Sequence, residues 1–188
     1  MQQFRCVEFS SDNHELLETA TWLRSVVWNK HVGREVFAEN VWTDDHDCHA
    51  CHWGILNHGN RMVAAARLCV HDSIEKFPDY YPGNTFACEF VSPIAMMNRL
   101  VVHPDFQRQG LASRLDMARI VKAISLHCRS IVIEVPSYRM HRLEKMGFEY
   151  VGETVDITNI QQAGIQFYLY KKVLTSCKGE HFGNQQQL

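Results

Sequence analysis

The chain has 188 residues, 46% of them hydrophobic and 21% charged, enough for one well-buried domain and short for two. A net charge of −2 on scattered basic residues gives no general attraction for nucleic acid or anionic membrane, and no run approaches the roughly eighteen apolar residues that span a bilayer. The N-terminus is too polar for a signal peptide, and seven cysteines, odd in number and set singly, read as reduced thiols; the chain is expected to be cytoplasmic.

Phe4 to Phe9 alternates as a first strand. Ser10, Ser11, Asp12 and Asn13 offer caps for a helix over His14 to Trp28, where Leu16, Leu17, Ala20, Leu23, Val27 and Trp28 recur near helical spacing. Asn29 to Asp45 has no clean period. After it, the run Asp44-Asp45-His46-Asp47-Cys48-His49-Ala50-Cys51-His52 gathers thiols, imidazoles and carboxylates that suit a borderline metal. No second C-x-x-C or His pair at finger spacing follows, and a strand would split the set between two faces, so the segment reads as a loop entering a strand, with no metal expected. A metal-binding interaction module is the rival reading.

Cys51 to Leu56 and Met62 to Val70 bracket the turn-rich Asn57-His58-Gly59-Asn60 and predict a hairpin. Phe77 to Asn84, with Pro78, Pro82 and Gly83, predicts an irregular excursion, and Met96 to Val102 the next strand. His103-Pro104-Asp105 stops that strand, and His103 is expected to face solvent. Leu111 to Leu126 predicts a helix burying Leu111, Leu115, Ala118, Ile120, Val121 and Ile124, with Arg114, Arg119 and Lys122 outside. Ile131 to Val135 is a β-branched run for a strand covered on both faces. Ser137 opens a short helix to Met146, closed by Gly147 as a left-handed terminator. Phe148 to Glu153 and Ile165 to Lys172 suggest a closing antiparallel pair. The tail 175–188 is expected to be disordered, leaving one domain over residues 1–174.

Between the strand ending at Val102 and the helix starting at Leu111, the chain is built to hold an anion. The first turn of a helix carries four N–H groups without intrahelical partners, its dipole favours negative charge, and Gly110 lets a phosphate approach the backbone with no Cβ in the way. Arg108 adds a positive side chain.

Gln107-Arg108-Gln109-Gly110-Leu111-Ala112 fits the pattern Q/R-x-x-G-x-G/A. With the strand before it, the helix after it, the strand Ile131 to Val135 and the later Glu144-Lys145-Met146-Gly147-Phe148, it resembles the GNAT superfamily of CoA-dependent N-acyltransferases. The resemblance implies an α/β (α+β) fold with a mixed, mostly antiparallel sheet of six or seven strands, splayed between the fourth and fifth, with helices on both faces. It implies that Leu100, Val101 and Val102 pair with the pantetheine arm of acetyl-CoA or another acyl-CoA, and that Gln107, Arg108, Gln109, Gly110, Leu111, Ala112 and Ser113 hold its diphosphate. A small-molecule amine is the implied acceptor, attacked directly in a ternary complex; a homodimer is compatible with the family.

Two departures weaken the match on the acceptor side. Many members carry a tyrosine that protonates the leaving thiolate where this chain has Leu143, and a glutamate base on the strand before the loop where it has Met96 and Met97. Tyr138 is the replacement expected for the tyrosine and Glu134 for the base, with His141, Glu89 and His103 as further titratable candidates. Glu35, Trp42, Asp44 and Asp45 are either acceptor contacts or an ordinary surface. Arg24, Trp28, Trp42, Asp44, Asp47, Arg67 and Arg99 follow the order of similar residues in acyl-homoserine-lactone synthases, which suggests an acceptor or acyl group at Arg67 or Arg99; the other reading pairs those arginines with Asp44, Asp45 or Asp47. The loss of the tyrosine and glutamate leaves a non-catalytic acyl-CoA sensor as an alternative, and a homoserine-lactone-synthase-like acyltransferase as another.

Overall fold

The structure is a computed structural model and describes residues 4–33, 35, 42–73, 90–154 and 165–174. Seven strands form one sheet: β1 (Arg5–Phe9), β2 (Cys51–Leu56), β3 (Met62–His71), β4 (Ile94–Val102), β5 (Ser130–Pro136), β6 (Glu149–Thr154) and β7 (Phe167–Val173), in the spatial order β1-β2-β3-β4-β5-β7-β6. The sheet is antiparallel except between β4 and β5, where the connection runs through the helix α2 (Leu111–Ser125). The expected mixed, mostly antiparallel α/β sheet is therefore the fold.

The helix α1 (His14–Val32) runs one turn beyond the predicted end at Trp28. Asn13 caps its start by accepting from the Leu16 N–H at 3.1 Å, Lys30 and His31 suit the negative end of the dipole, and Gly33 at φ +74° ends it in the left-handed conformation. Small side chains on β3 let helices lie close on both faces: Ala64 and Ala66 pack with Leu111, Leu115 and Ala123 of α2, and Ala65 with Ala20 and Leu23 of α1.

The pattern of α2 differs from its prediction. Arg119 is fully buried, as is Asp116, while Val121 and Ile124 are 58% and 55% exposed. The reason lies in β4. Its register with β3 slips between Ala65 and Arg67, and Arg99 takes φ +54°, so the strand bulges. The Arg119 guanidinium fills the bulge from below, donating through Nη1 to the carbonyls of Arg67 and Asn98 at 3.2 Å each, and through Nη2 to Asp116 Oδ1 at 2.6 Å. Burial lowers the pKa of Arg119 to about 10, still well above neutrality, because Asp116 opposes the shift. Apolar periodicity cannot detect a charged side chain recruited by an irregularity in another element.

After β5, a single 3-10 turn (Ser137–Arg139) leads into α3 (Met140–Lys145), and Gly147 at φ +77° is the terminator expected of it. Tyr170 on β7, fully buried, donates to Glu144 Oε1 at 3.0 Å and fixes α3 to the sheet; burial and that carboxylate push its phenol up to about 12. β6 and β7 form the closing antiparallel pair. The excursion at 77–84, Glu89 and the tail 175–188 lie outside the described residues.

Candidate active site

β5 pairs with β4 only from Ile94↔Ser130 to Met97↔Ile133. Beyond Met97 the two strands part, while β4 stays paired with β3 at Val101↔Ala65 and Val102↔Ala64. The edge of Asn98 to Val102 thus faces a wedge in place of a neighbouring strand, and an extended ligand arm can add to it as a strand would. A cavity of about 680 Å³ occupies the wedge, lined by Leu100, Val101 and Val102 on one side, by Val27, Trp28 and His31 of α1, and by Tyr138 beyond β5.

Gln107, Arg108, Gly110, Leu111, Ala112 and Ser113 line the same cavity, so the structure joins the predicted arm-binding strand to the predicted anion loop; Gln109 is exposed beside them. Gly110 is the N-cap of α2 at φ +78° and supplies no side-chain cap, so the first-turn N–H groups are not consumed by a capping oxygen. Arg108 also takes a positive φ, +60°. Among the described residues the lining includes Lys30, Arg108, Arg139 and Arg142 and no carboxylate. A basic surface at a helix start suits a phosphate.

Next to this wedge, on the α1 face of the sheet, the Asp44 to His52 segment folds into a charged cluster. Asp44 caps the 3-10 turn Asp45–Cys48, accepting from the His46 N–H at 3.0 Å, and Asp47 Oδ2 accepts from the Asp44 N–H at 3.1 Å. Arg67 lies 2.5 Å from Asp44 Oδ1 and 2.9 Å from Asp47 Oδ1, and its Nε donates to Asn98 at 2.8 Å. Arg24 donates to Asp47 Oδ1 at 2.8 Å. Arg99 pairs with Asp44, and its guanidinium lies 4.0 Å from the centroid of the Trp42 ring. Arg24 and Arg67 have no exposed side-chain surface. Burial opposes ionisation of both carboxyls, but the arginines outweigh it and hold Asp44 and Asp47 below the usual carboxylate range. The ion-pair reading of Arg67 and Arg99 is seen in the structure, Arg67 with Asp44 and Asp47 and Arg99 with Asp44.

His52 lies inside this cluster. Arginine can only donate, so His52 Nδ1 accepts from Arg24 Nη2 at 3.3 Å, which assigns the ring proton to Nε2 and its 2.9 Å bond to the Asp47 carbonyl. Burial lowers its pKa, and the neighbouring arginines add to the effect. Asp44, Asp47 and His52 thus turn toward arginines, and Cys48 Sγ toward the Asp45 carbonyl at 2.8 Å. No group of three His, Cys, Asp or Glu residues suited to a metal occurs among the described residues.

The proton-transfer candidates separate. Tyr138 lines the cavity, is 67% exposed, and meets His31 across the wedge with ring centroids 5.9 Å apart. Glu134 does not line that cavity: it lies half-buried on β5, opposite Leu169 and one residue past the last β4 pair. Leu143 is fully buried in the core, and Met96 is buried on the opposite face of β4 from Met97. His141 is exposed on α3, and His103, expected to face solvent, packs on Phe106 with a side chain 14% exposed. Glu35 and Asp45 are exposed. Sequence reasoning missed His31, which one more turn of helix after Val27 and Trp28 would have placed on their face. It also missed Asp116, Arg119 and Arg139, which no local pattern marks.

A sheet parted between two parallel strands, with an open strand edge leading into an uncapped helix N-terminus, defines the class of acyl-CoA-dependent acyltransferases. The sequence profile of the acetyltransferase (GNAT) family matches residues 13–148, and the chain belongs to that family. No curated relative matches the sequence. Among solved structures, the fold is similar to a CoA-dependent acyl-homoserine lactone synthase, BjaI, with SAM and isopentyl-CoA, at TM-score 0.69 and 16% identity over 93% of this chain and 85% of that one. It is similar to FeeM, an N-acyl amino acid synthase from uncultured soil microbes, at TM-score 0.65 and 12% identity over 92% of each chain. It is also similar to the ribosomal-protein-S18-alanine N-acetyltransferase from Escherichia coli, at TM-score 0.55 and 14% identity over 97% and 100%.

Proposed function

We propose that this protein is a cytoplasmic N-acetyltransferase that moves the acetyl group of acetyl-CoA to a primary amine of a small molecule, by direct attack within a ternary complex. The observation that carries this reading is the unbroken path from the open β4 edge at Asn98 to Val102 into the uncapped start of α2 at Gly110. The pantetheine arm pairs with Leu100 to Val102, and the diphosphate takes the Gln107 to Ser113 loop. A backbone N–H of Leu100 or Val101 stabilises the thioester oxyanion as the amine nitrogen forms its bond to the carbonyl carbon. The C–S bond then breaks, the thiolate takes the Tyr138 phenolic proton, and the proton lost by the amine passes toward Glu134 through water. A phenol is protonated at neutral pH, and partial burial raises the Tyr138 pKa further.

Incubation with acetyl-CoA and a panel of amines, following free thiol, tests the reading. Thiol release that requires both substrates is the expected result. CoA binding without turnover on any amine would favour the sensor, and better turnover of longer acyl-CoAs would favour the synthase-like alternative. Tyr138→Phe is expected to lower kcat by about a hundredfold with little change in the acetyl-CoA KM, since only proton donation is lost. An unchanged kcat would remove Tyr138 from the mechanism.

A further inference from the structure

We infer that Arg139 and Arg142 form a second phosphate-binding element for the donor, apart from the Gln107 to Ser113 loop and oriented by the buried carboxylate of Asp116. Arg139 Nη2 lies 2.7 Å from Asp116 Oδ2 and 3.0 Å from Oδ1, and Arg119 takes Oδ1 at 2.6 Å. Arg142 Nε stands 3.8 Å from Oδ2, outside hydrogen-bond range, so the carboxylate attracts this guanidinium without using its donors. Three guanidinium groups thus surround one carboxylate that has no exposed surface, an excess of two positive charges. Arg119 answers the β4 bulge. Among the described residues Arg139 and Arg142 have no comparable carbonyl to serve, and both line the wedge cavity, with side chains 14% and 45% exposed.

An ion pair holding the 3-10 turn and α3 to α2 needs a single arginine. A second one, open to the cavity on a surface that already carries Lys30 and Arg108, adds repulsion that an anion relieves. CoA has two phosphate groupings, the diphosphate and the ribose 3′-phosphate, whereas the α2 start is one binding element. The shared chemistry is a phosphate oxyanion on the nucleotide end of the donor, held bidentately by an arginine fork. The inference rests on the acyl-CoA reading above.

Calorimetric titration of the full chain with CoA and with 3′-dephospho-CoA, for the wild type, Arg142→Gln and Arg142→Lys, tests it. Arg142→Gln is expected to bind CoA about tenfold more weakly, with Lys recovering part of the loss and with unchanged melting, because the side chain is half exposed. A loss confined to CoA assigns Arg142 to the 3′-phosphate; a loss shared by dephospho-CoA assigns it to the diphosphate. Unchanged affinity for both ligands would overturn the second element and leave the loop intact. A wild-type chain binding neither ligand would instead overturn the donor reading itself.

Discussion

Gly110→Val is expected to weaken CoA binding by at least about a hundredfold, measured by calorimetric titration, while the protein stays folded. Gly110 holds φ +78°, and among the described residues no atom within 4 Å would meet an added Cβ, so crowding inside the protein is not the obstacle. The obstacle is the backbone. A β-branched residue is a true outlier in the left-handed region, at a cost of about 1–3 kcal/mol, and relieving that strain rotates the N–H groups that open α2 away from the diphosphate. The added methyl groups also occupy the approach that the missing Cβ leaves open. Gly110→Ala should fall between the two, since alanine meets the same strain with less bulk. Wild-type affinity in both variants would count against the loop as the donor site.

The second large effect is structural. Asp47→Ala is expected to destabilise the protein by about 3–5 kcal/mol in urea unfolding, because it leaves Arg24 and Arg67 buried with one carboxylate fewer. The loss also removes the bond from the Asp44 N–H to Asp47, the reciprocal half of the capping box on the 3-10 turn. A change below about 1 kcal/mol would mean that water or a shifted side chain replaces the carboxylate.

The same cluster sets an acid limit. Asp44, Asp47 and His52 all have pKa values lowered by folding, so each binds a proton more weakly in the folded state than in the unfolded chain. Their contribution is complete above the unfolded values and is lost as pH falls. Unfolding free energy should hold steady between about pH 6.5 and pH 8, decline below that range as unfolded His52 takes up a proton, and drop more steeply below about pH 4 as the two carboxyls follow. In Asp47→Ala the steep lower phase should shrink, which urea titrations at stepped pH would read.

The proposed donor half of the site could be read from the sequence because it is local. The strand ending at Val102, the Gln107 to Ser113 loop, Gly110 and the helix after it are contiguous, and their chemistry depends on backbone geometry that glycine and helix starts announce in sequence. The cluster around Asp44 was legible as composition but ambiguous in purpose, since carboxylates, imidazoles and thiols suit metal and arginine alike. The partners that Asp44 and Asp47 take in the structure, Arg24 and Arg67, come from α1 and β3, beyond any local window.

By itself the sequence determined the order of strands and helices, the left-handed stop at Gly147, and the family that the glycine loop identifies. Tertiary structure alone decided at which residues β4 and β5 part, that Arg119 turns inward to fill the bulge, and that Tyr138 meets His31 across the wedge while Glu134 does not line it. The division follows range. Backbone propensity and capping act over a few residues, whereas burying a charge depends on which distant carbonyl or carboxylate the fold brings within hydrogen-bond reach.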